Sequence, residues 1–167
     1  MRTAYQTIRG HLYASSHVLR SIHTIQSEHT MTQPNDFNQQ LIAEFRANGG
    51  ETSGPFKGRR VLLLTSTGAR SGQLRTTPLV YSNDGDNLIV VASKGGAPSH
   101  PAWYHNLVAH PNATVEVGTD EYAVRAHVAG PGERERLYAQ HAADMPAFND
   151  YQTKTTRQIP VLVLERA

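Results

Sequence analysis

Two short stretches hold the residue types that could do chemistry. The first, GARSGQLR, sets Arg70, Ser71 and Arg75 close together, with Gly68 and Gly72 among them. Glycine lets backbone approach a ligand closely, and exposed amides in such a loop form an anion-binding nest. Arginine adds a planar fork suited to phosphate oxygens, worth about 1.5–3 kcal/mol for each charge-assisted hydrogen bond. Three or four such contacts would hold a phosphate diester, although the spacing suits an ordinary hairpin loop with solvated charges equally well. The second stretch, Ser93–Lys94–Gly95–Gly96, ends an apolar run with a hydroxyl, an ammonium and two open amides. These suit a ring system or a phosphate. Trp103 and Tyr104 follow, either as walls for a flat ligand or as core. Lys57, Arg59 and Arg60 form a third cationic cluster, readable as the solvated start of a strand or as a contact for an anionic ligand tail.

Other chemistries lack their residues. There is no Cys, so disulfides, thiolate metal sites and a cysteine nucleophile are excluded, and the composition fits a reducing cytosol. A formal charge of +2 is too small to argue for nucleic acid, and the aromatics adjoin glycine loops instead of a basic stripe. No Walker A loop, G-x-G-x-x-G, G-x-S-x-G or H-E-x-x-H occurs. His100, His105 and His110 are evenly spaced but would scatter around a helix, with no carboxylate beside them, so no metal is expected. No apolar run reaches the roughly 18 residues of a membrane span. The expected location is cytoplasmic, with membrane association only peripheral.

The elements that must position these loops can be read from periodicity. A chain of 167 residues favours one domain, able to bury about 70% of its unfolded surface. Residues 1–30 stand apart: Arg2, Arg9 and Arg20 face a single acid, Glu28, with no secretory apolar centre. His11, His17, His23 and His29 recur at a step that turns a helix by about 240°, so they share no helical face. This segment is expected to be a poorly ordered extension or a misplaced start, ahead of a domain over 31–167. Phe37, Leu41, Ile42 and Phe45 form a helical stripe, with Asp36 as N-cap, Gln39 completing a capping box, and residues 48–50 ending the helix. Strands are expected over 61–65, 76–82 and 87–93, with an Asp-Gly turn at 83–86. Pro78 marks its strand as an edge, a bulge or a break. A helix over 102–110 is followed by a hairpin of 114–117 and 122–128, a helix over 131–145, a polar segment over 148–157 dotted with aromatics, and a strand over 160–164. About six strands, mostly in hairpins, with three or four helices argue against a doubly wound parallel sheet. They suit an α+β fold: an antiparallel barrel with flanking helices.

Three segments carry a resemblance: LLLTSTGARSGQLRTTPLVY, then DGDNLIVVASKGGAPSHPAWYHNLVAHPNATVEV, then DYQTKTTRQIPVLVLE. In residues, order and spacing they resemble the deazaflavin-dependent nitroreductase and quinone reductase family, which uses coenzyme F-420. The resemblance covers about residues 58–165. It implies a split β-barrel that binds reduced 8-hydroxy-5-deazaflavin. The coenzyme's phosphate and tail would meet Ala69, Arg70, Ser71 and Arg75, and its path would be lined by Thr76, Thr77, Pro78, Leu79 and Val80. Val91, Ala92, Ser93 and Lys94 would border the deazaflavin. Ala102, Trp103, Tyr104, His105 and Asn106 would close the other side, with Phe148 above. Lys57 and Arg59 would meet the polyglutamate tail. Ser93 and Tyr151 are the catalytic candidates, and no metal is implied. Members active on nitroimidazoles place several tyrosines over the substrate. Here Met145, Phe148 and Tyr151 stand there, so the acceptor implied is a quinone or similar flat hydrophobic molecule, with nitroaromatics in question. Reaching lipid quinones would call for peripheral membrane contact. The alternatives are an FMN enzyme on the same barrel and a non-catalytic coenzyme-binding protein.

Overall fold

The structure is a computed structural model describing residues 34–167, with side chains from Asp36 onward. The expectations for residues 1–30, including the four evenly spaced histidines, lie outside the described residues. Seven strands form one antiparallel sheet: β1 (Val61–Thr67), β2 (Leu74–Val80), β3 (Ser82–Asp84), β4 (Asn87–Val91), β5 (Asn112–Val117), β6 (Asp120–Val128) and β7 (Val161–Arg166). Their order across the sheet is β2-β1-β5-β6-β7-β4-β3. The two end strands, β2 and β3, are consecutive in the chain and parted only by Tyr81. A chain that leaves one edge and at once starts the other forces the sheet to curl until its edges approach, giving the split barrel. The seventh strand arises because the expected strand over 76–82 breaks at Tyr81. Pro78 lies on β2, which pairs only with β1, so its missing N–H faces no partner strand.

The apolar runs are continuous because both faces of the sheet are covered. Leu62, Leu64, Leu88, Val90, Leu162 and Leu164 point into the barrel. There they meet Trp103 and Leu107, one turn apart on α2 (Ala102–Ala109). The alternate residues Ile89, Val91, Val161 and Val163 face outward. They lie beneath α3 (Pro131–Asp144) and α4 (Ala147–Thr153), which contribute Leu137, Tyr138, Ala142 and Phe148. Val61 and Leu63 pack under Ile42 and Phe45 of α1 (Pro34–Ala47). Each such side chain fully buried is worth about 1.5–3 kcal/mol.

Two expectations differ from what is seen. Helix α1 begins at Pro34, so Asp36 sits in its first turn, where its charge favours the helix dipole, and is not the N-cap. The polar segment after Phe148 contains α4, a real helix. Its sequence AFNDYQT is rich in weak helix formers, and packing of Phe148 and Tyr151, one turn apart, decides for helix.

Candidate coenzyme site

The first glycine loop is held from inside and from outside. Gly68 N–H donates to Gln73 O at 2.8 Å and Gly72 N–H to Gly68 O at 2.9 Å. Gln73 N–H donates to Ser71 Oγ at 3.2 Å. A Cβ on Gly68 would lie 2.5 Å from Ser71 Oγ and 3.2 Å from Gln73 O, so any larger residue there would have to displace the Ser71 hydroxyl that helps close the loop. From outside, the buried Asn106 of α2 accepts Ala69 N–H at 2.9 Å and donates to Ser66 Oγ at 3.3 Å. Among the described residues, the amides of Arg70 and Ser71 donate to nothing. Arg75 spends one hydrogen bond on Gln73, at 3.0 Å. The outcome is a cavity of 510 Å³ lined by Gly68, Ala69, Arg70, Ser71, Arg75, Ala102, His105 and Asn106. Open amides, two guanidinium groups and no carboxylate among its lining residues give it the chemistry that suits an anion.

The second loop is strained. Ser93 is right-handed helical (φ −73°, ψ −39°), but Lys94 has φ 47°, the only positive φ of a non-glycine among the described residues. Gly95 and Gly96 continue at 63° and 84°. Such strain persists only where the surroundings impose it, and it gathers at ligand sites. A right-handed residue followed by a left-handed one is the geometry of an amide nest. Lys94 Nζ donates to Ser99 Oγ at 3.0 Å.

A second cavity, of 360 Å³, lies beside this loop under α4. Its lining includes Pro55, Phe56, Arg59, Val80, Ser93, Gly95, Met145, Phe148 and Tyr151. The Phe148 and Tyr151 rings meet edge-on at 5.0 Å. The Tyr138 hydroxyl donates to Phe148 O at 2.6 Å and pins α4; burial pushes that phenol's pKa up. Ser93 Oγ has no hydrogen-bond partner among the described residues.

Strand β2 joins the two cavities. Arg75 near its start borders the first and Val80 at its end borders the second. At about 3.3 Å per residue they stand about 17 Å apart. Thr76, Thr77, Pro78 and Leu79 lie between them on a strand whose outer edge pairs with no other strand. Thr76 Oγ1 shares a hydrogen bond with Thr65 Oγ1 at 2.8 Å, and Leu79 packs on the barrel interior.

Several candidates are placed elsewhere. Trp103 is buried in the barrel core, because its position on α2 faces inward with Leu107. Tyr104 lines a separate hollow with His100 and Arg134. The side chains of Val91 and Ala92 belong to the outer and inner cores, and Ala92 N–H is taken by Pro160 O at 2.9 Å. Lys57 and Arg59 precede Val61, which pairs with Val80, whereas the first loop follows Thr67, which pairs with Leu74. That register puts the Lys57–Arg59 cluster at the opposite end of the hairpin from Arg70 and Arg75. Arg59 lines the second cavity. Sequence reasoning missed Phe56 and the role of Arg157. The last acts across more than 55 positions of chain, a separation for which local spacing gives no signal.

A curled antiparallel barrel bearing a cationic cavity, a strained glycine loop and a cavity under a helix is a split-barrel fold with the layout of an elongated-ligand site. The chain belongs to the F420H(2)-dependent quinone reductase family, whose model matches residues 38–166. It is 44% identical over 108 residues to the F420H(2)-dependent quinone reductase Rv1261c of Mycobacterium tuberculosis, covering 63% of this chain and 72% of that one. Among solved structures, an F420-H2 dependent reductase (FDR-A) is 39% identical with a TM-score of 0.60, over 64% of this chain and 95% of that one. A second, described as a domain-swapped dimer, is 34% identical with a TM-score of 0.62, over 80% and 100%. The haem storage protein HutZ of Vibrio cholerae, 12% identical at a TM-score of 0.51, shares the fold. The family is defined by F420H(2), and the FMN alternative finds no support in it. No described helix is long and apolar enough to cross a membrane.

Proposed function

We propose that this chain uses reduced coenzyme F-420 to reduce a quinone or similar flat hydrophobic acceptor. The observation that carries the reading is the unpaired edge of β2, running from an anion cavity to an apolar one. An elongated coenzyme with a phosphate at one end and a ring at the other fits that layout. When bound, the reduced deazaflavin supplies the hydride. Arg70, Ser71 and Arg75 would bind the phosphate end through charge and open amides. Ser93, Lys94 and the Gly95–Gly96 turn would seat the ring end. Val80, Met145, Phe148 and Tyr151 would wall the acceptor and exclude water. Ser93 and Tyr151 offer hydroxyls to the reacting region, and nothing in the layout calls for a nucleophile or a metal.

The test is oxidation of the reduced coenzyme by purified protein with menadione as acceptor. Turnover is expected; no oxidation across a panel of quinones and nitroaromatics would sink the reading. Within the same assay, Arg75→Ala is expected to raise the coenzyme Kd about 10- to 100-fold, the loss of one charge-assisted contact. Arg75 is exposed, so the melting temperature should stay put. Menadione is expected to outpace nitroimidazoles, because Met145 and Phe148 leave few donors for a developing anion.

Access to lipid quinones is read from Leu74, 71% exposed between Arg70 and Arg75. An apolar tip flanked by arginines suits an anionic lipid surface. Flotation with phosphatidylserine vesicles should capture the protein, and Leu74→Ser should weaken capture. Equal capture by neutral vesicles, or none, would remove this part of the reading.

A further inference from the structure

The strained second loop is gripped on both flanks by one side chain. Arg157 lies in the segment between α4 and β7, half-buried. Its Nε donates to Ala97 O at 2.8 Å. Its Nη2 donates to Ser93 O at 2.7 Å and Ala92 O at 3.2 Å. Its Nη1 donates to Ala92 O at 3.2 Å and to His100 Nδ1 at 2.9 Å. All three nitrogens of one planar fork thus grip residues 92–100. The segment bearing it is itself fixed: Gln152 Nε2 donates to Arg157 O at 2.8 Å, and the buried Arg134 donates to Gln152 Oε1 at 2.8 Å and Ile159 O at 3.0 Å.

The direction of the loop's amides follows from these carbonyls. In a trans peptide the C=O and the next N–H lie in one plane and point opposite ways, and no described peptide is cis. Ser93 C=O, held by Arg157 from outside and by Gly96 N–H at 2.9 Å from within the loop, therefore aims Lys94 N–H away from both. Lys94 C=O is taken by Ala97 N–H at 3.1 Å, which aims Gly95 N–H likewise. Among the described residues neither amide donates to a backbone carbonyl. Asn106 does for the first loop, through Ala69 N–H, what Arg157 does here through carbonyls.

We propose that Arg157 is the positioning residue of the second glycine loop, holding the carbonyls of Ala92, Ser93 and Ala97 so that the Lys94 amide, with the Gly95 amide next to it, is presented to the ring end of the coenzyme. The proposal rests on the coenzyme reading above for what the amides meet, but not for the grip itself. Arginine is required for its geometry: lysine offers one nitrogen and cannot span Ala92, Ser93, Ala97 and His100 together.

The experiment compares wild type, Arg157→Ala and Arg157→Lys. Hydrogen exchange on the coenzyme-free protein should show faster exchange in Arg157→Ala over residues 93–97, with the strands unchanged. Coenzyme Kd should rise about 10- to 100-fold, with Arg157→Lys recovering only part. Added guanidinium ion should restore affinity to Arg157→Ala, whereas methylammonium should not. The KM for menadione should move less than twofold. Unchanged exchange at 93–97, or exchange raised over the whole domain, overturns the proposal, as does a Kd within twofold of wild type. If wild-type exchange at 93–97 is not slowed by coenzyme, the coenzyme reading fails while the exchange comparison still judges the grip.

Discussion

Gly96→Ala is expected to lower the melting temperature by roughly 5–15 °C and to remove most turnover with the reduced coenzyme. Gly96 has φ 84°, and a Cβ there would lie 2.8 Å from Tyr151 O and 2.8 Å from Lys154 Cβ. Neither neighbour yields easily. Tyr151 O already accepts Lys154 N–H at the end of α4, and both atoms ride on a helix pinned through Tyr138. The left-handed conformation costs an alanine about 1–2 kcal/mol, and relieving the overlap adds about 1–3 kcal/mol. The relief must displace either the loop or α4, so the error reaches the proposed ring seat and the proposed acceptor wall at once. Gly95→Ala is the control. It is also left-handed, at φ 63°, but a Cβ there meets nothing within 4 Å. It should lose only the strain share, measured as a smaller fall in melting temperature. If the two variants melt together, the contact between the loop and α4 is not what makes Gly96 a glycine.

The contrast between the two loops shows what a sequence can disclose. The first loop is legible because its parts are local: Gly68, Ser71 and Gly72 lie within one turn, and the hydrogen bonds closing it span at most five positions. The barrel strands are legible too, because burial on both faces leaves runs such as Val61–Leu64 and Leu88–Val91 with no polar break. What was not legible depends on register and on distant contacts. Trp103 reads as ligand wall or as core until α2 is placed, whereupon the face it shares with Leu107 turns inward. Lys57 and Arg59 look close to Arg70 along the chain, yet the pairing of Val61 with Val80 sends them to the other end of the hairpin. Helix α4 has weak local propensity, and only the underside supplied by Ile89, Val91 and Ile159 makes it a helix. Arg157 is the extreme case, with acceptors at Ala92, Ser93, Ala97 and His100 that no spacing rule connects to it.

Acid should weaken the domain through His141. This histidine is fully buried, with Nδ1 2.9 Å from Ser82 Oγ and Nε2 without a partner among the described residues. Its ring stands edge-to-face on Phe148 at 4.5 Å. The imidazolium form would need acceptors for both N–H groups in a dry site, and one is missing. Burial accordingly lowers its pKa to about 4, opposed weakly by the Asp144 carboxylate. An unfolded histidine titrates near 6.5, so between about pH 6.5 and about 4 the unfolded chain binds a proton that the folded chain refuses. The folded state thus keeps this contribution above pH 6.5 and loses it progressively as pH falls toward 4, by about 3 kcal/mol in all. His100, whose pKa is lowered chiefly by burial and then by Arg157, adds in the same direction. Denaturant unfolding at pH 7, 5.5 and 4.5, on wild type and His141→Gln, isolates the term. Glutamine can still meet Ser82 but does not titrate, so its stability should fall less steeply and the gap between the proteins should shrink as pH drops. Parallel slopes would mean that the imidazole finds a proton acceptor in the fold. Because the ring leans on Phe148, charging it should also disturb the proposed acceptor wall, and KM for menadione should rise below pH 5 in wild type before global unfolding is reached, while His141→Gln stays level.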